Sequence, residues 1–266
     1  MFGPHDGTRV IVHPYRRMMG FLMRGRNESA VYFEQRLDLT QTQRWLDERK
    51  ARLFPLVLHA LASVLHERPR INRFTVGRRT YQRKGVFLSF AAKKAMSDDA
   101  PLATIKREFK EGESFADLAN ALGGDVTEAR SDRPSHIDKE LSILLKLPGF
   151  LLAFLIGLLK RLYSWGLAPR SLVDTDPLYT SAFVANLGSI KIDAAYHHLY
   201  EHGNCPLFVT IGQVKQEPIV IDGAVSVRPT LTLKYTFDER VEDGLYAARS
   251  LKMLAERVEN PASWLS

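Results

Sequence analysis

The twenty residues from Leu231 to Ser250, LTLKYTFDERVEDGLYAARS, limit what this chain can fold into more than any other stretch. The first six alternate between apolar and polar, which predicts a strand with one buried face. A polar turn follows at Asp238–Gly244, and apolar side chains then recur at helical spacing until Asn260-Pro261, where a helix stops. Because catalytic groups often lie where a strand leads through a polar turn into a helix, this turn is the first candidate site.

Composition sets the outer limits on function. Of the 266 residues, 45% are hydrophobic and 25% are charged, as in an ordinary soluble globular protein. The net charge of +7 favours anionic partners such as nucleotides, coenzyme A or acidic lipid surfaces, and it serves solubility equally well. Because Cys205 is the only cysteine, no internal disulfide can form and a reducing compartment is expected. The N-terminus has no apolar stretch of the secretory type, so we expect a cytoplasmic protein.

Hydrophobic periodicity and turn signals predict the other elements. Up to Ser135 these are a basic amphipathic segment at Tyr15–Arg26, a strand at Val31–Leu39, a helix at Thr42–Arg52 with Thr40 as its N-cap, an apolar helix at Phe54–His66, strands at Phe74–Tyr81 and Lys84–Ala92, helices at Leu102–Lys110 and Phe115–Leu122, and a loop at Asp125–Ser135. Gly123-Gly124 is expected to end the last helix. Further on, Asp222-Gly223 predicts a two-residue hairpin turn within Val220–Val227.

Residues 136–170 contain an uncharged apolar run, Leu147–Leu159 (LPGFLLAFLIGLL), between Lys146 and Lys160-Arg161. As a helix this run would extend roughly 20 Å, whereas a bilayer core needs about 20 apolar residues. Two interpretations remain open. The run is either a helix buried in the core or at a subunit contact, or a membrane-surface anchor with basic and aromatic residues at the interface.

The turn DERVEDG at Asp238–Gly244 and the stretch SAFVANLG at Ser181–Gly188 are the most specific motifs. They resemble two signatures of a known family, the catalytic domain of the dihydrolipoyl acyltransferases in 2-oxo-acid dehydrogenase complexes. The signatures are Asp-His-Arg-x-x-Asp-Gly for the turn and Thr-Phe-Thr-Ile-Ser-Asn-Leu-Gly for the second stretch. That family is related to chloramphenicol acetyltransferase. Pro206–Gly212 resembles the next family strand. The resemblance covers most of the chain outside residues 136–170, but the family's Gly-Leu-x-x-Pro-Val segment has no match, and Ala95–Pro101 stands in its place.

The resemblance implies an α/β fold, a chloramphenicol acetyltransferase-like two-layer sandwich in which helices cover a mixed sheet. We therefore expect a single acyltransferase-like domain over residues 1–266. The sequence departs from the family by an apolar helical insertion at about 136–170, and we find in it no lipoyl or peripheral-subunit-binding domain. Relatives are trimers with the active site between subunits, so a homotrimer, and a larger assembly of trimers, is expected. The implied ligands are acyl-coenzyme A or a carrier-bound acyl group, and no nucleic acid is expected.

Two positions of the family's active site are changed in this sequence. In relatives a histidine takes the proton of the attacking thiol, and a serine hydroxyl helps to hold the oxyanion. These positions are Glu239 and Ala185 here, whereas Asp243 keeps the family's second polar position in the turn. General-base catalysis is worth roughly 10²–10⁴-fold in rate, and one oxyanion donor roughly 10²–10³-fold. The chain is therefore expected to be degenerate for the family reaction, a pseudoenzyme that binds a ligand or builds an assembly.

The alternative is an active acyltransferase with a re-tooled site, in which burial raises the pKa of Glu239 until it acts as the base. If the side chain of Arg240 approached this carboxylate, it would instead favour the charged, weakly basic form. Such an enzyme would use acyl-coenzyme A or a carrier-bound acyl group, in solution or at a membrane surface. Coenzyme A is the cofactor that the resemblance implies.

Asn186 and a group of histidines, His197, His198 and His202, are candidates for lining the access channel, and one of these histidines is a candidate for the missing base. If the stretch were helical, His198 and His202 would form an i,i+4 pair with Cys205 nearby, which is a pattern that ligates zinc. No carboxylate motif accompanies the pair, so we predict no metal site and expect a surface helix with a partly buried cysteine.

Overall fold

A computed structural model describes residues 3–93, 102–130 and 146–265 of the chain. The strands in these ranges are β1 (Gly7–Arg9), β2 (Ala30–Asp38), β3 (Arg73–Val76), β4 (Arg79–Arg83), β5 (Phe87–Lys93), β6 (Leu102–Glu108), β7 (Ala182–Asn186), β8 (Leu207–Ile221) and β9 (Ala224–Asp238). The α-helices are α1 (Pro14–Leu22), α2 (Thr40–Arg49), α3 (Leu53–Glu67), α4 (Phe115–Arg130), α5 (Gly149–Trp165), α6 (Arg170–Thr175) and α7 (Gly244–Glu259). Short 3₁₀ turns lie at Pro69–Asn72, Leu187–Ile190 and Pro261–Ser263.

The larger sheet has the strand order β2-β9-β8-β7-β5-β6. β7 runs parallel to both β5 and β8, whereas β2–β9, β8–β9 and β5–β6 are antiparallel pairs, so the sheet is mixed. β2 pairs with β9 along its whole length, from Ala30 opposite Asp238 to Asp38 opposite Thr230. A smaller sheet joins β1, β4 and β3. The predicted α/β fold with a mixed sheet is confirmed.

Helices α3, α4 and α7 cover one face of the larger sheet, because their apolar stripes meet the apolar face of the strands. The inward side chains of β9, which are Leu231, Leu233, Tyr235 and Phe237, are all buried in one cluster with these helices. Burying each such side chain stabilises the fold by about 1.5–3 kcal/mol. The opposite face of β7 and β8 carries Phe183, Ala185 and Phe208, which pack beneath the irregular segment 192–205. The sheet therefore places its core on one face and the Ala185 position on the other.

The predicted helix at Leu102–Lys110 is wrong, because Leu102–Glu108 is strand β6. This strand pairs antiparallel with β5, from Leu102 opposite Lys93 to Glu108 opposite Phe87. Hydrogen bonds to a neighbouring strand decide the conformation of such a segment, and a local pattern does not contain them.

Gly123-Gly124 does not end α4, so the loop predicted at Asp125–Ser135 is wrong for residues 125–130. A glycine inside a helix costs about 1 kcal/mol relative to alanine but does not forbid the conformation. Leu118 and Leu122 lie in the core and Val126 packs against it, which holds the helix across the glycine pair. Residues 131–135 lie outside the described ranges, as do Ala95–Pro101 and residues 136–145 of the insertion.

Smaller corrections concern turns and caps. Phe74–Tyr81 is two strands, because the chain turns at Gly77 with a φ of +59°. α2 begins at Thr40, and the carboxylate that accepts from the N–H of Thr40 belongs to Asp38, with an N–O distance of 2.9 Å. The strand at Val31–Leu39, the helix at Phe54–His66 and the hairpin at Asp222-Gly223 are confirmed by β2, by α3 and by the β8–β9 connection.

The apolar run of the insertion forms most of α5. The C-terminal end of this helix is held in a second small core, where Tyr163 packs with Tyr179 and Phe74 and donates a hydrogen bond of 2.8 Å to Asp6 Oδ1. The N-terminal end is different, because Phe150 is 78% exposed and is not part of the core of this chain. Within the three described ranges, no helix is long and apolar enough to cross a membrane.

Candidate functional site

The turn from Asp238 to Gly244 is held by a buried ion pair between its own residues. The carboxylate of Asp238 accepts hydrogen bonds from Nε and Nη2 of Arg240 at 2.8 and 2.7 Å and from Ser29 Oγ at 2.9 Å. Both members of the pair are buried. Burial alone would lower the pKa of Arg240, but the hydrogen bonds and charge of Asp238 raise it above its usual value. The guanidinium therefore stays charged, and the turn has one fixed conformation.

Glu239 lies between the two members of this pair and is half-buried. Its main chain is fixed on both sides, because its N–H donates to Ser29 O at 3.0 Å and its carbonyl accepts from Arg16 Nη1 of α1 at 2.5 Å. Arg240 is bound to Asp238 and to the carbonyl of Arg24. The approach of Arg240 to the Glu239 carboxylate, which the sequence left open, therefore does not occur in this arrangement.

Asp243 caps α7. Its Oδ1 accepts from the N–H of Tyr246 at 2.8 Å, which satisfies one of the free donors at the helix N-terminus. This hydrogen bond, with a smaller contribution from the charge of Arg16, holds the pKa of Asp243 below its usual value. The residue is therefore an ionised helix cap, and its place in the motif has a structural reason.

Glu242 is the other buried charge of the turn, and neither motif marks it as a site residue. Its carboxylate pairs with Arg70 Nε at 2.8 Å and with Arg73 Nη1 at 3.0 Å. The guanidinium of Arg70 also lies 4.3 Å from the ring centre of Tyr246, at the start of α7. The partners of Glu242 lie about 170 positions away in the chain and could not be found from the motif.

Ala185 lies on β7, opposite Thr210 of β8. Its methyl group packs with the aromatic cluster of Phe183 and Phe208. The neighbouring hydroxyl of Thr210 donates to the carbonyl of Ala195 at 2.6 Å. Asn186, the predicted channel residue, caps the following 3₁₀ turn, with its Oδ1 accepting from the N–H of Ser189 at 3.2 Å.

The three candidate histidines do not lie on a helix. Residues 192–200 have no regular secondary structure, so the expected surface helix and its i,i+4 histidine pair are wrong. The reason is that hydroxyls of the sheet bind the main chain of this segment, with Thr236 Oγ1 donating to His197 O at 2.5 Å. His202 lies at the far end, where its Nε2 is 2.8 Å from Asp176 Oδ2. Among the residues that the structure describes, no group of three His, Cys, Asp or Glu side chains is placed to hold a metal ion.

His197 lies against the aromatic cluster that Ala185 contacts. Its ring stacks on Phe208 with centroids 3.9 Å apart, and Phe208 belongs to the cluster that Ala185 contacts. Its Nδ1 is 2.7 Å from the carbonyl of His198, so Nδ1 carries the proton and Nε2 keeps a lone pair. Burial lowers the pKa of His197 below its usual value, which favours this neutral form. The arrangement supplies a proton acceptor on the same face of the sheet as Ala185.

A cleft of about 1040 Å³ lies elsewhere, among α2, α3 and α4. Trp45, His59, Phe115 and Trp264 are among its lining residues, and none of the predicted site residues is. Although this cleft is large, it lies on the helical layer, away from Ala185 and Glu239.

Comparison with known proteins finds a sequence similarity to this family over the C-terminal third of the chain. Residues 179–266 match the family model of the 2-oxoacid dehydrogenases acyltransferase (catalytic domain). A fission yeast protein, Schizosaccharomyces pombe probable dihydrolipoyllysine-residue succinyltransferase component of the mitochondrial 2-oxoglutarate dehydrogenase complex, is 38% identical over 64 residues. That match covers 23% of this chain and only 14% of the yeast protein.

Solved structures extend the likeness to the whole fold. The cubic core of a pyruvate dehydrogenase multienzyme complex has a TM-score of 0.63 at 18% identity, covering 96% of this chain and 93% of that one. The dihydrolipoamide acetyltransferase of Azotobacter vinelandii has a TM-score of 0.61 at 19% identity, covering 94% of this chain and 87% of that one. Chloramphenicol acetyltransferase has a TM-score of 0.54 at 12% identity, covering 98% and 100%. This chain has the chloramphenicol acetyltransferase-like fold of the dihydrolipoamide acyltransferase cores, and its residues 179–266 are similar in sequence to the acyltransferase catalytic domain.

Proposed function

We propose that the chain keeps the acyltransferase fold as a ligand-binding or assembly-forming protein and is degenerate for acyl transfer between coenzyme A and lipoyl groups. The main support is that Ala185 offers a methyl group and Glu239 a carboxylate where relatives use a hydroxyl and an imidazole. A carboxylate with a usual pKa of about 4.3 is a weak base for a thiol. Loss of the general base lowers the rate by roughly 10²–10⁴-fold, and loss of one oxyanion donor lowers it by roughly 10²–10³-fold. Even though such losses are less than additive, little of the family's rate would remain.

The preserved turn supports a binding role for this region. Buried charges cost several kcal/mol unless they are paired, and this chain pairs Asp238 with Arg240 and Glu242 with Arg70. The turn thus keeps a defined shape although the base position has changed. Three of these four charges, Asp238, Arg240 and Glu242, are buried, and their pairing stabilises the shape of the region to which we assign binding.

The assembly that we propose is a homotrimer, with a larger assembly of trimers as a further step. The distal part of the β8–β9 hairpin projects from the sheet and exposes a row of valines, Val214, Val220, Val225 and Val227, at 40–73% of their surface. Exposed apolar rows on a protruding ribbon are typical of contacts between subunits. The hairpin is therefore the part of the described chain that we assign to self-association.

Calorimetry with coenzyme A and a panel of short acyl-coenzyme A esters tests the proposal. Wild type and the variant Glu239→His with Ala185→Ser are compared, and we expect both to bind but only the variant to transfer acyl groups to a dithiol. The matched control makes the same exchanges at exposed positions, Glu111→His with Ala248→Ser, and should stay inactive. Turnover by wild type that falls on Glu239→Gln would contradict degeneracy, and absence of binding by either protein would show that the pocket is lost.

A second candidate function is acyl transfer by a re-tooled site, from acyl-coenzyme A or a carrier-bound acyl group. The observation that favours it is His197, whose free Nε2 and lowered pKa suit a general base near Ala185. Glu239 would then complete the site, and Asn186 would line the access channel. Release of thiol from acyl-coenzyme A by wild type, lost on His197→Gln but not on His202→Gln, would establish this function in place of the first.

A further inference from the structure

The helix α5 presents an apolar face to solvent. Phe150, Phe154 and Leu158 follow one another at four-residue spacing along this face and are 78%, 63% and 41% exposed. The stripe formed by Leu155, Leu159 and Tyr163 is turned toward the chain and is less exposed. A surface helix of a globular domain normally places polar residues on its outer side. We call the outer row, completed by Trp165, the α5 face.

The charged side chains on α5 and its immediate flanks are all basic, and the first acidic residue after the helix is Asp174. Residues 146–173 contain four cations, Lys146, Lys160, Arg161 and Arg170, and no aspartate or glutamate. All four are exposed, and the guanidinium of Arg161 lies 5.4 Å from the ring centre of Trp165. Basic and aromatic side chains beside an apolar surface are typical of the headgroup region of a membrane.

We propose that the α5 face binds the boundary between headgroups and acyl chains of a bilayer that contains anionic lipids. The apolar side chains would enter this boundary, and the four cations would meet the negatively charged phosphates. From Phe150 to Leu158 the helix rises about 12 Å, which suits a helix at the membrane surface and is too short for a span. This binding is independent of whether the acyltransferase site is active.

A second copy of the chain fits the α5 face less well than a lipid surface does. In an antiparallel pairing of two α5 helices, Lys146 of one copy would approach Lys160 and Arg161 of the other, and like charges brought together disfavour the contact. The exposed valines of the β8–β9 hairpin already offer an apolar surface for self-association without such a cluster of cations. Charge complementarity therefore favours the anionic bilayer.

Flotation of the full chain with vesicles tests this proposal. The vesicles are phosphatidylcholine alone and phosphatidylcholine mixed with phosphatidylglycerol, and we expect wild type to float only with the second. Phe150→Ser with Phe154→Ser should lower the vesicle partition coefficient at least about tenfold, because two phenyl rings no longer leave water. Lys160→Gln with Arg161→Gln should lower it about fivefold for each cation removed.

The control variant, Leu102→Ser with Ile192→Ser, exchanges two side chains that are 60% and 50% exposed elsewhere on the chain. It should float as wild type does, and melting curves should be unchanged in every variant because all these side chains are exposed. The proposal is overturned if wild type floats with neither vesicle, or with both equally. Sedimentation velocity then shows what the α5 face does instead. If Phe150→Ser with Phe154→Ser lowers the fraction of oligomer, the α5 face is a contact between copies of the chain.

Discussion

Asp238 and Arg240 form an ion pair across a single intervening residue, with Nη2 of the arginine 2.7 Å from Oδ2 of the aspartate and both side chains at most 4% exposed. Glu239 is the residue between them, so a pair of buried charges fixes the main chain on both sides of the position that we propose to be the changed base position. The geometry of this position therefore depends on its neighbours more than on its own side chain.

Removing one partner of this pair should destabilise the fold. Asp238→Asn leaves the guanidinium of Arg240 buried without a counter-charge, which costs about 3–5 kcal/mol when a buried pair is broken. Urea denaturation should show a fall of this size in the free energy of unfolding. The control, Glu256→Gln, removes the exposed i,i+4 pair with Lys252 and should change stability by no more than about 0.5 kcal/mol. Equal stability of Asp238→Asn and wild type would refute the structural role of the pair.

The cap at Asp243 predicts both a loss of stability and a pH dependence. Asp243→Ala should lower the free energy of unfolding by about 0.5–2 kcal/mol at pH 7, whereas Asp243→Ser keeps an acceptor and should lose less. The hydrogen bond from Tyr246 lowers the pKa of Asp243 in the folded chain. The carboxylate therefore stabilises the fold above its unfolded pKa, and this contribution is lost as pH falls through the folded value. The difference in the free energy of unfolding between wild type and Asp243→Ala should therefore shrink in acid. A difference that stays constant with pH would contradict the role of Asp243 as an ionised cap.

Lys106 predicts a second pH dependence, in the alkaline range. Its Nζ donates to the carbonyls of Val173 and Asp176 at 3.0 and 3.2 Å, and burial, together with the charge of Arg83, lowers its pKa from 10.5 to about 8. Between these values the unfolded chain holds a proton that the folded chain has released, so stability should rise with pH there. Urea denaturation of wild type and Lys106→Met between pH 8 and 10.5 measures this. The rise should be weaker in the variant, and identical slopes would rule out Lys106 as its source.

The hairpin predicts the oligomeric state. Val220→Asp with Val225→Asp places two charges on the exposed row of the β8–β9 ribbon, and a charge at an apolar contact opposes association. If the hairpin joins subunits, sedimentation velocity should show a trimer for wild type and a monomer for this variant. The control variant, Leu102→Asp with Ile192→Asp, places two aspartates at exposed apolar positions away from the hairpin. It should leave the trimer intact. A wild-type monomer would exclude the proposed assembly.

Local pattern was enough to predict β9, the turn after it and α7, because each depends on spacing over a few residues. It was not enough for β6, which is a strand only because β5 lies beside it. The helix expected around His197 failed for a similar reason, since Thr210 and Thr236 bind carbonyls of that segment from strands that come later in the chain. Partners far apart in sequence, and not residue types, were the missing information.

The same limit applies to the candidate site. Glu239, Asp243 and Ala185 are candidates that the motifs supply through the resemblance, and their roles stay predictions. The ion pairs of Glu242 and the bond from Ser29 to Asp238 could not be found from the motifs, because Ser29 and Asp238 are 209 residues apart. Sequence therefore supplies candidate positions, whereas the structure supplies the contacts that hold the turn.

The pairing of β2 with β9 has a consequence for biosynthesis. β2 is complete once about forty residues have been made, but its partner strand lies some two hundred residues later. During translation the main-chain groups of β2 that bind β9 therefore stay unpaired until almost the whole chain has been made. Contacts this distant slow folding and prolong exposure to aggregation. The newly made chain is thus most vulnerable before the very segment that carries Glu239 arrives, and that segment closes the sheet.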